Sequence, residues 1–317
     1  MSNTLPVPFK ADGTLGALLI GTLVSFTLFG ITCAQTYTYY AGPCFAKDPV
    51  QMKALVACVW CGEFAHTICI AMSLYTLLIT NYGHPERLAV LPNALLASTF
   101  IGSLISFVAT TFFAYRIYVL SRTRTFWSPA VSWIPYLCWA LSLFRFVPPN
   151  VIVFKNEHQP IPLVLQRWGP LFDSIWAASA ANDLLIAGTL CFLLYDRRSS
   201  GSKHTNAMVE RLIAWTIETG VVTSLASVAT LALFIALPST FAWLSVFVVI
   251  PKLFSNSLLA SLNSRASLSS EVPSQHEMSF AAGTSTTEWL VNSTTSEPTQ
   301  SRSIRPDADV EIGDGHS

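Results

Sequence analysis

Charge is scarce in this chain of 317 residues: 11% are Asp, Glu, Lys or Arg, 52% are apolar, and the mean hydropathy is +0.49. A soluble domain of this length needs a far more charged surface, so the composition excludes one and makes a bilayer the natural solvent. No nucleic-acid partner is expected from so little charge. A disulfide framework is missing too. The seven cysteines are Cys33, Cys44, Cys58, Cys61, Cys69, Cys138 and Cys191, and all but Cys44 fall in apolar runs, where a thiol behaves as a small hydrophobe. Cys58 and Cys61 form a C-x-x-C inside an apolar run with no second pair, so neither a zinc site nor redox chemistry is expected. Met1 to Lys10 lacks the basic n-region of a signal peptide, and the first apolar run is expected to be retained. His66 is the only histidine deep in an apolar run, which leaves no convergent ligands for a metal hydrolase. No catalytic residue, metal or cofactor is expected.

What the chain does have is length of apolar sequence. About 20 residues cross the roughly 30 Å hydrocarbon core. Runs near 15–40, 53–79, 91–120, 128–152, 169–195, 209–237 and 240–262 meet that requirement. The expected fold is an all-α integral membrane bundle of seven transmembrane helices over residues 15–265, after a short N-terminal segment (1–14) and before a disordered tail (266–317). Tyr37, Tyr39 and Tyr40 close the first run and suit a headgroup interface; Gly42 and Pro43 break it. Pro238 and Ser239 are read as the tight turn between the last two runs.

Seven spans put the termini on opposite sides. With the N-terminus outside, inner segments carry Lys47, Arg122, Arg124, Arg197, Arg198, Lys203 and Arg265, against Lys10, Arg87, Lys155 and Arg167 outside. The positive-inside rule then predicts N-out and C-in. In that topology the outer loops hold no cysteine, so the disulfide tying an outer loop to the third helix in many rhodopsin-like receptors cannot form. The tail holds eight acids and two arginines among many Ser and Thr residues, too polar to repay ordering. Its hydroxyls offer phosphorylation sites, and Asn292-Ser293-Thr294 should stay unglycosylated if the tail is inside.

Small residues mark where helices approach closely. Ser98, Gly102, Ser106 and Thr110 recur every fourth residue on the third span; Trp176 to Asn182 (WAASAAN) does the same for the fifth; Thr216, Gly220, Thr223, Ser227 and Thr230 form a stripe on the sixth.

Ionisable groups at bilayer depth cost about 3 kcal/mol or more on insertion scales, so each is a functional candidate. Glu63, Asp183, Glu218 and Lys252 fall in the middle third of their runs, and His66 lies one turn from Glu63 on the same face. The sharper expectation is one cluster, with Lys252 paired to one or two carboxylates and His66 passing a proton; the plainer one is polar groups that join helices by hydrogen bonds. Glu218 points away from its helix's Thr/Ser stripe. Arg116 and Arg145 sit nearer run ends and read as snorkelling anchors. On the last span Lys252, Ser255, Asn256, Leu259 and Asn263 make one continuous face, and Pro251 predicts a bend that frees a carbonyl to line a cavity.

Several pieces over Thr14 to Arg265 carry a further signal: GALLIGTLVSFTLFGITCAQTYTYY in the first span, an acid three residues before a histidine (Glu63, His66), then Asn81-Tyr82-Gly83. Later come Asp183-Leu184-Leu185-Ile186-Ala187, Thr219-Gly220 with Thr223-Ser224, and Lys252-Leu253-Phe254 with NSLLASLNSR, which includes Asn263 and Arg265. In these the chain resembles the fungal (basidiomycete) seven-helix membrane proteins that carry domain of unknown function 6534. That family usually has Asp-Thr where this chain has Glu63-Phe64 and a tyrosine where Phe254 stands, so a hydroxyl is missing at both places. The resemblance implies seven helices and a membrane location, and it supplies no established activity.

Three functions fit the residues. A receptor-like sensor would take a small lipophilic ligand into the bundle, shift helices around Lys252 and Pro251, and signal through inner loops and tail to a cytoplasmic partner. A proton-coupled carrier would use Glu63, His66, Asp183 and Lys252 as a relay, though no internal repeat or matched pair of broken helices supports it. A retinal pigment would use Lys252, but the third span offers no carboxylate counter-ion. Besides these stands a structural membrane protein without a ligand. Sensing is the expectation carried forward, in a membrane that is plasma or internal.

Overall fold

A computed structural model describes residues 12–84, 87, 90–122, 129–157, 159–198, 203–238 and 240–269. Lys10, Arg124, Ser239 and residues 270–317 of the Ser/Thr-rich tail lie outside these residues, whereas 266–269, expected to begin the disordered tail, continue the last helix; residues 265–269 are described in their backbone only. The described chain is helical, with no strand among the described residues: α1 (Ala17–Ala41), α2 (Cys44–Lys47), α3 (Val50–Tyr75), α4 (Asn93–Arg122), α5 (Pro129–Lys155), α6 (Ile161–Arg198), α7 (Lys203–Ala236), α8 (Ala242–Phe247) and α9 (Ile250–Ser269). Seven stretches are long and apolar enough to cross a membrane, with α8 and α9 together forming the seventh, Ala242–Ser264. The helices of the other six agree with the expected runs to within a few residues, except that the fifth begins at Ile161 and the sixth already at Lys203.

The early start of α6 has a local cause. Pro160 accepts the first backbone bonds of the helix from Leu163 and Val164, and Pro162 sits where a helix loses nothing by lacking an N–H. The Arg167 guanidinium lies 5.5 Å over the Trp168 ring, so the polar turn that looked like a loop is helical. At the end of α3, a π-helical turn, Thr76–Thr80, leads to Asn81-Tyr82-Gly83. Gly83 has φ +79°, a conformation that disfavours any side chain, and the His84 amide closes the turn on the Asn81 carbonyl. Between α1 and α3, Tyr39 turns inward rather than to a headgroup region: it is 3% exposed, and its hydroxyl bonds the Asp48 carboxylate at 2.9 Å. Tyr37 and Tyr40 do stay exposed.

The small-residue faces are where the helices meet. Ser98, Ser106 and Thr110 on α4, Ser179 and Asn182 on α6, and Thr223, Ser227 and Thr230 on α7 are all buried. Most hydroxyls satisfy themselves along their own helix; Ser106 donates to the Gly102 carbonyl and Thr110 to that of Ser106. Ser179 and Ser227 then meet across α6 and α7 at 3.2 Å, and Asn182 donates to Ser142 of α5 at 3.3 Å. The closest approaches need glycine. A Cβ on Gly21 of α1 would run into the Ser245 carbonyl oxygen in α8, and one on Gly220 of α7 into the Ala187 Cβ in α6.

The seventh span is interrupted just ahead of Pro251. Helical pairing lapses at Val248 and Val249 between α8 and α9. Pro251 has no N–H for the Phe247 carbonyl, and the Ser25 hydroxyl of α1 donates to the adjacent Val248 carbonyl at 3.4 Å. Asn256 and Asn263 reach α1 in the same way, donating to the carbonyls of Leu28 and Gln35. The polar face of α9 is therefore a seam against α1, not the wall of an open chamber.

Candidate functional site

The expected single cluster of Glu63, His66, Asp183, Glu218 and Lys252 does not form. Two separate charge pairs take its place. In the first, Lys252 of α9 is paired with the Glu63 carboxylate of α3, both side chains fully buried. The ammonium also donates to the Glu63 carbonyl (3.0 Å) and the Thr67 hydroxyl (2.7 Å), so all three N–H bonds have acceptors. The Phe29 ring lies 5.0 Å from Nζ. Neither of the two cavities described below borders Lys252. A nitrogen so engaged and enclosed ties α9 to α3.

In the second pair, Arg145 of α5 and Asp183 of α6 stand 3.9 Å apart, with side chains 12% and 2% exposed. The guanidinium lies 4.6 Å over the Phe254 ring of α9. The hydroxyls of Thr223 and Ser227 on α7 lie beside the Asp183 carboxylate, outside hydrogen-bond geometry with either oxygen. Arg145 is thus no snorkelling anchor. The fourth span, Ser132–Lys155, runs three residues past its expected end, which places Arg145 near mid-span. Arg116, the other residue read as an anchor, is half-buried and donates to Ser261 of α9 at 2.6 Å.

Two predicted residues stand apart. Glu218 lies well inside α7, two residues before Gly220 where α7 packs on α6, but its side chain is exposed, away from the buried Thr223, Ser227 and Thr230, so it joins neither pair. His66 is 2% exposed and lies against Gly102 of α4 and Pro251 of α9: a Cβ on Gly102 would fall 2.9 Å from its Nε2 and 2.8 Å from the Pro251 Cγ. Its Nδ1 has no hydrogen-bond partner. Among the described residues no hydrogen bond or ion pair links His66 to either pair, or one pair to the other.

What sequence reasoning missed is a cavity of about 120 Å³ enclosed by α4, α5, α6, α7, α8 and α9. Gly102 and Pro251 form part of one wall, with His66 behind them; Arg145 forms part of the wall toward mid-span. Leu91, Asn156 and Ile161 border it near the end of the bundle where α4 begins. Most of the lining is apolar, but Arg145 Nη1, Asn150 Oδ1 and Trp176 Nε1 belong to lining side chains and have no hydrogen-bond partner. Pro148 and Pro149 loosen α5 just here, since neither can donate to the carbonyls of Phe144 and Arg145. Asn150 bridges the gap with Nδ2, donating to the Phe146 carbonyl (2.6 Å) and the Ser103 hydroxyl (2.9 Å).

A second cavity, about 30 Å³, is bordered by Asp183, Phe254, Thr110 and Thr223. Three helices pass both cavities in the same order. On α4, Gly102 and Ser106 precede Thr110; on α6, Trp176 precedes Asp183; on α9, Pro251 precedes Phe254. The contact among Arg145, Asp183 and Phe254 is therefore the partition between an upper and a lower chamber.

Fold and site together define a multi-pass integral membrane protein whose seven apolar helices enclose two ion pairs and a largely apolar chamber. Residues 179–267 match the model of a family of unknown function (DUF6534). The matched stretch holds Asp183, Thr219, Gly220, Pro251, Lys252, Phe254, Asn256 and Asn263, whereas Glu63, His66 and Asn81-Tyr82-Gly83 precede it. No curated protein and no solved structure matches the chain.

Proposed function

We propose that this protein is a receptor-like sensor, not an enzyme, and that its ligand is a small lipophile held in the larger cavity. The observation that carries this reading is the position of that cavity against the broken seventh span. Its wall includes Gly102 and Pro251, and the next residue along, Lys252, is locked to Glu63. A ligand that presses on Pro251 acts on a span whose helix is already interrupted just before it, and α9 carries the displacement toward the chain's C-terminal side. In this reading α9 ends in the cytoplasm, where basic loops and the tail meet a signalling partner. A ligand shifts such an equilibrium only by its difference in affinity for the two arrangements, so the cavity must change shape between them.

The test joins binding to movement. Lipophiles co-purifying with detergent-extracted protein are identified by mass spectrometry, for the native chain and for Val164→Trp, which fills the cavity. A lipophile present only with the native chain is then added back while spin-label distances are read between the far ends of α4 and α9. A ligand-dependent change supports sensing; a ligand retained by the filled variant, or helix ends that ignore it, overturns it.

The carrier reading draws on a different observation, the two chambers stacked across a charged partition. It requires solute flux through proteoliposomes that depends on pH. An inert protein under every imposed gradient eliminates it.

A further inference from the structure

The larger cavity is long for its volume. Its lining runs from Asn156 down to Arg145 on α5 and from Leu96 to Ser106 on α4, which at ~1.5 Å per residue is roughly 15 Å along each helix. Trp243 to Pro251 follow the same course on α8 and α9. One benzene ring occupies a compact cavity of roughly 150 Å³. Here a smaller volume, about 120 Å³, is drawn out over roughly twice the width of that ring, so the space suits one extended chain and not a fused or caged ring system.

The two ends of the chamber differ in chemistry. Asn156, Glu157 and Gln159 rim the end where α4 begins; Glu157 and Gln159 are exposed and Asn156 is half-buried. Below the rim the walls are apolar, with Leu96, Val153, Val164, Leu165, Phe172 and Phe234 among them. Ile175, Ile250 and Pro251 border the floor. The two polar side chains at that depth are engaged elsewhere: Arg145 faces Asp183 and the Phe254 ring, and the Ser106 hydroxyl donates to the Gly102 carbonyl.

We infer that the larger cavity takes a single-chain amphiphile tail first, with one unbranched alkyl chain along the chamber and the polar head left at the Asn156–Gln159 rim. In that orientation the head keeps water and exposed polar partners, and no polar group of the ligand is buried unpaired. By volume the chamber holds at least about six carbons, by comparison with benzene. By length it holds no more than about twelve, since an extended chain advances roughly 1.3 Å per carbon. A chain that reaches the floor ends against Pro251. The inference rests on the reading that this cavity is the ligand's site and adds which class of lipophile it takes.

The experiment compares 1-decanol with 1-adamantanol, which carry the same ten carbons and one hydroxyl as a chain and as a cage. The full chain is held in lipid nanodiscs with tryptophan replaced by 5-fluorotryptophan. Binding is read at the ¹⁹F resonances of Trp176 and Trp243, both of which line the cavity. Affinities are taken per mole fraction of alcohol in the lipid, and specific binding is the saturable shift that Val164→Trp abolishes. Decanol is expected to bind on the order of tenfold more tightly than adamantanol. Along the 1-alkanols affinity should rise to a cut-off at about six to twelve carbons. Ser106→Leu, which raises the floor, should shorten that cut-off by roughly two carbons.

Equal or tighter binding of adamantanol overturns the single-chain class and leaves a lipophile sensor standing. A cut-off that Ser106→Leu leaves in place overturns the tail-first orientation; if that variant does not fold, the decanol comparison on the native chain still decides the class. A phospholipid that stays with native protein, is lost from Val164→Trp and resists displacement by decanol makes the occupant a bilayer lipid and overturns the single-chain ligand. If neither alcohol nor lipid prefers native protein to the filled variant, the cavity takes no lipophile and the proposed function falls with it.

Discussion

Lys252 and Arg145 are both cations buried in an apolar bundle, yet their surroundings differ in kind. The Lys252 ammonium has all three donors used by α3, so it acts as a rivet between the second and seventh spans. Removing one partner of such a pair strands the other charge, at about 3–5 kcal/mol, whereas removing both together is far milder. Lys252→Met is therefore expected to destabilise the protein by about that amount, and Glu63→Gln with Lys252→Met to recover most of it, measured by equilibrium denaturation in mixed micelles. If the double variant is no better than the single one, the pair is not the rivet described. The ionisable residues were legible in the sequence because each stands out against an apolar run. Their pairing was not, since which acid meets which base depends on helix rotation and neighbour order. Arg145 shows the difficulty: a run ending near 152 leaves it two turns from the span's end, and the continuation of α5 to Lys155 sets the guanidinium deeper, beside Asp183.

Among elements, the helices' existence and the faces they bury follow from apolar run length and small-residue spacing, and the structure keeps both. The close contacts carry sharper consequences. At Gly21 an added methyl meets the backbone of α8, which cannot rotate aside, whereas at Gly30, on the same helix, it meets nothing within 4 Å. Gly21→Ala is expected to cost about 1–3 kcal/mol by overpacking and Gly30→Ala to be neutral or slightly stabilising, read as thermal denaturation midpoints of the purified variants. Gly83→Ala should cost about 1 kcal/mol, because its φ of +79° is closed to side chains. The interruption of the seventh span lies beside Pro251, where the sequence suggested a weak point. The cavity beside it was not legible, because it is made by residues from six helices whose sequences say nothing of the space left between them.

At the scale of the whole molecule, orientation remains a matter of loop charge. The N-out arrangement predicts that a glycosylation acceptor inserted near His84, between α3 and α4, is modified in microsomes, while Asn292 in the tail is not; the opposite pattern would invert the sidedness of the proposed ligand entry. The larger chamber reaches the end of the bundle where α4 begins, so N-out places that approach on the outer side. One more property follows from the two ion pairs. Each sums to zero wherever its proton resides, so a helix movement that carries a pair as a unit transfers no charge through the membrane field. A single unbalanced charge crossing that field would couple to it by about 2.3 kcal/mol per 100 mV. With both pairs neutral, neither adds a gating charge when it moves as a unit.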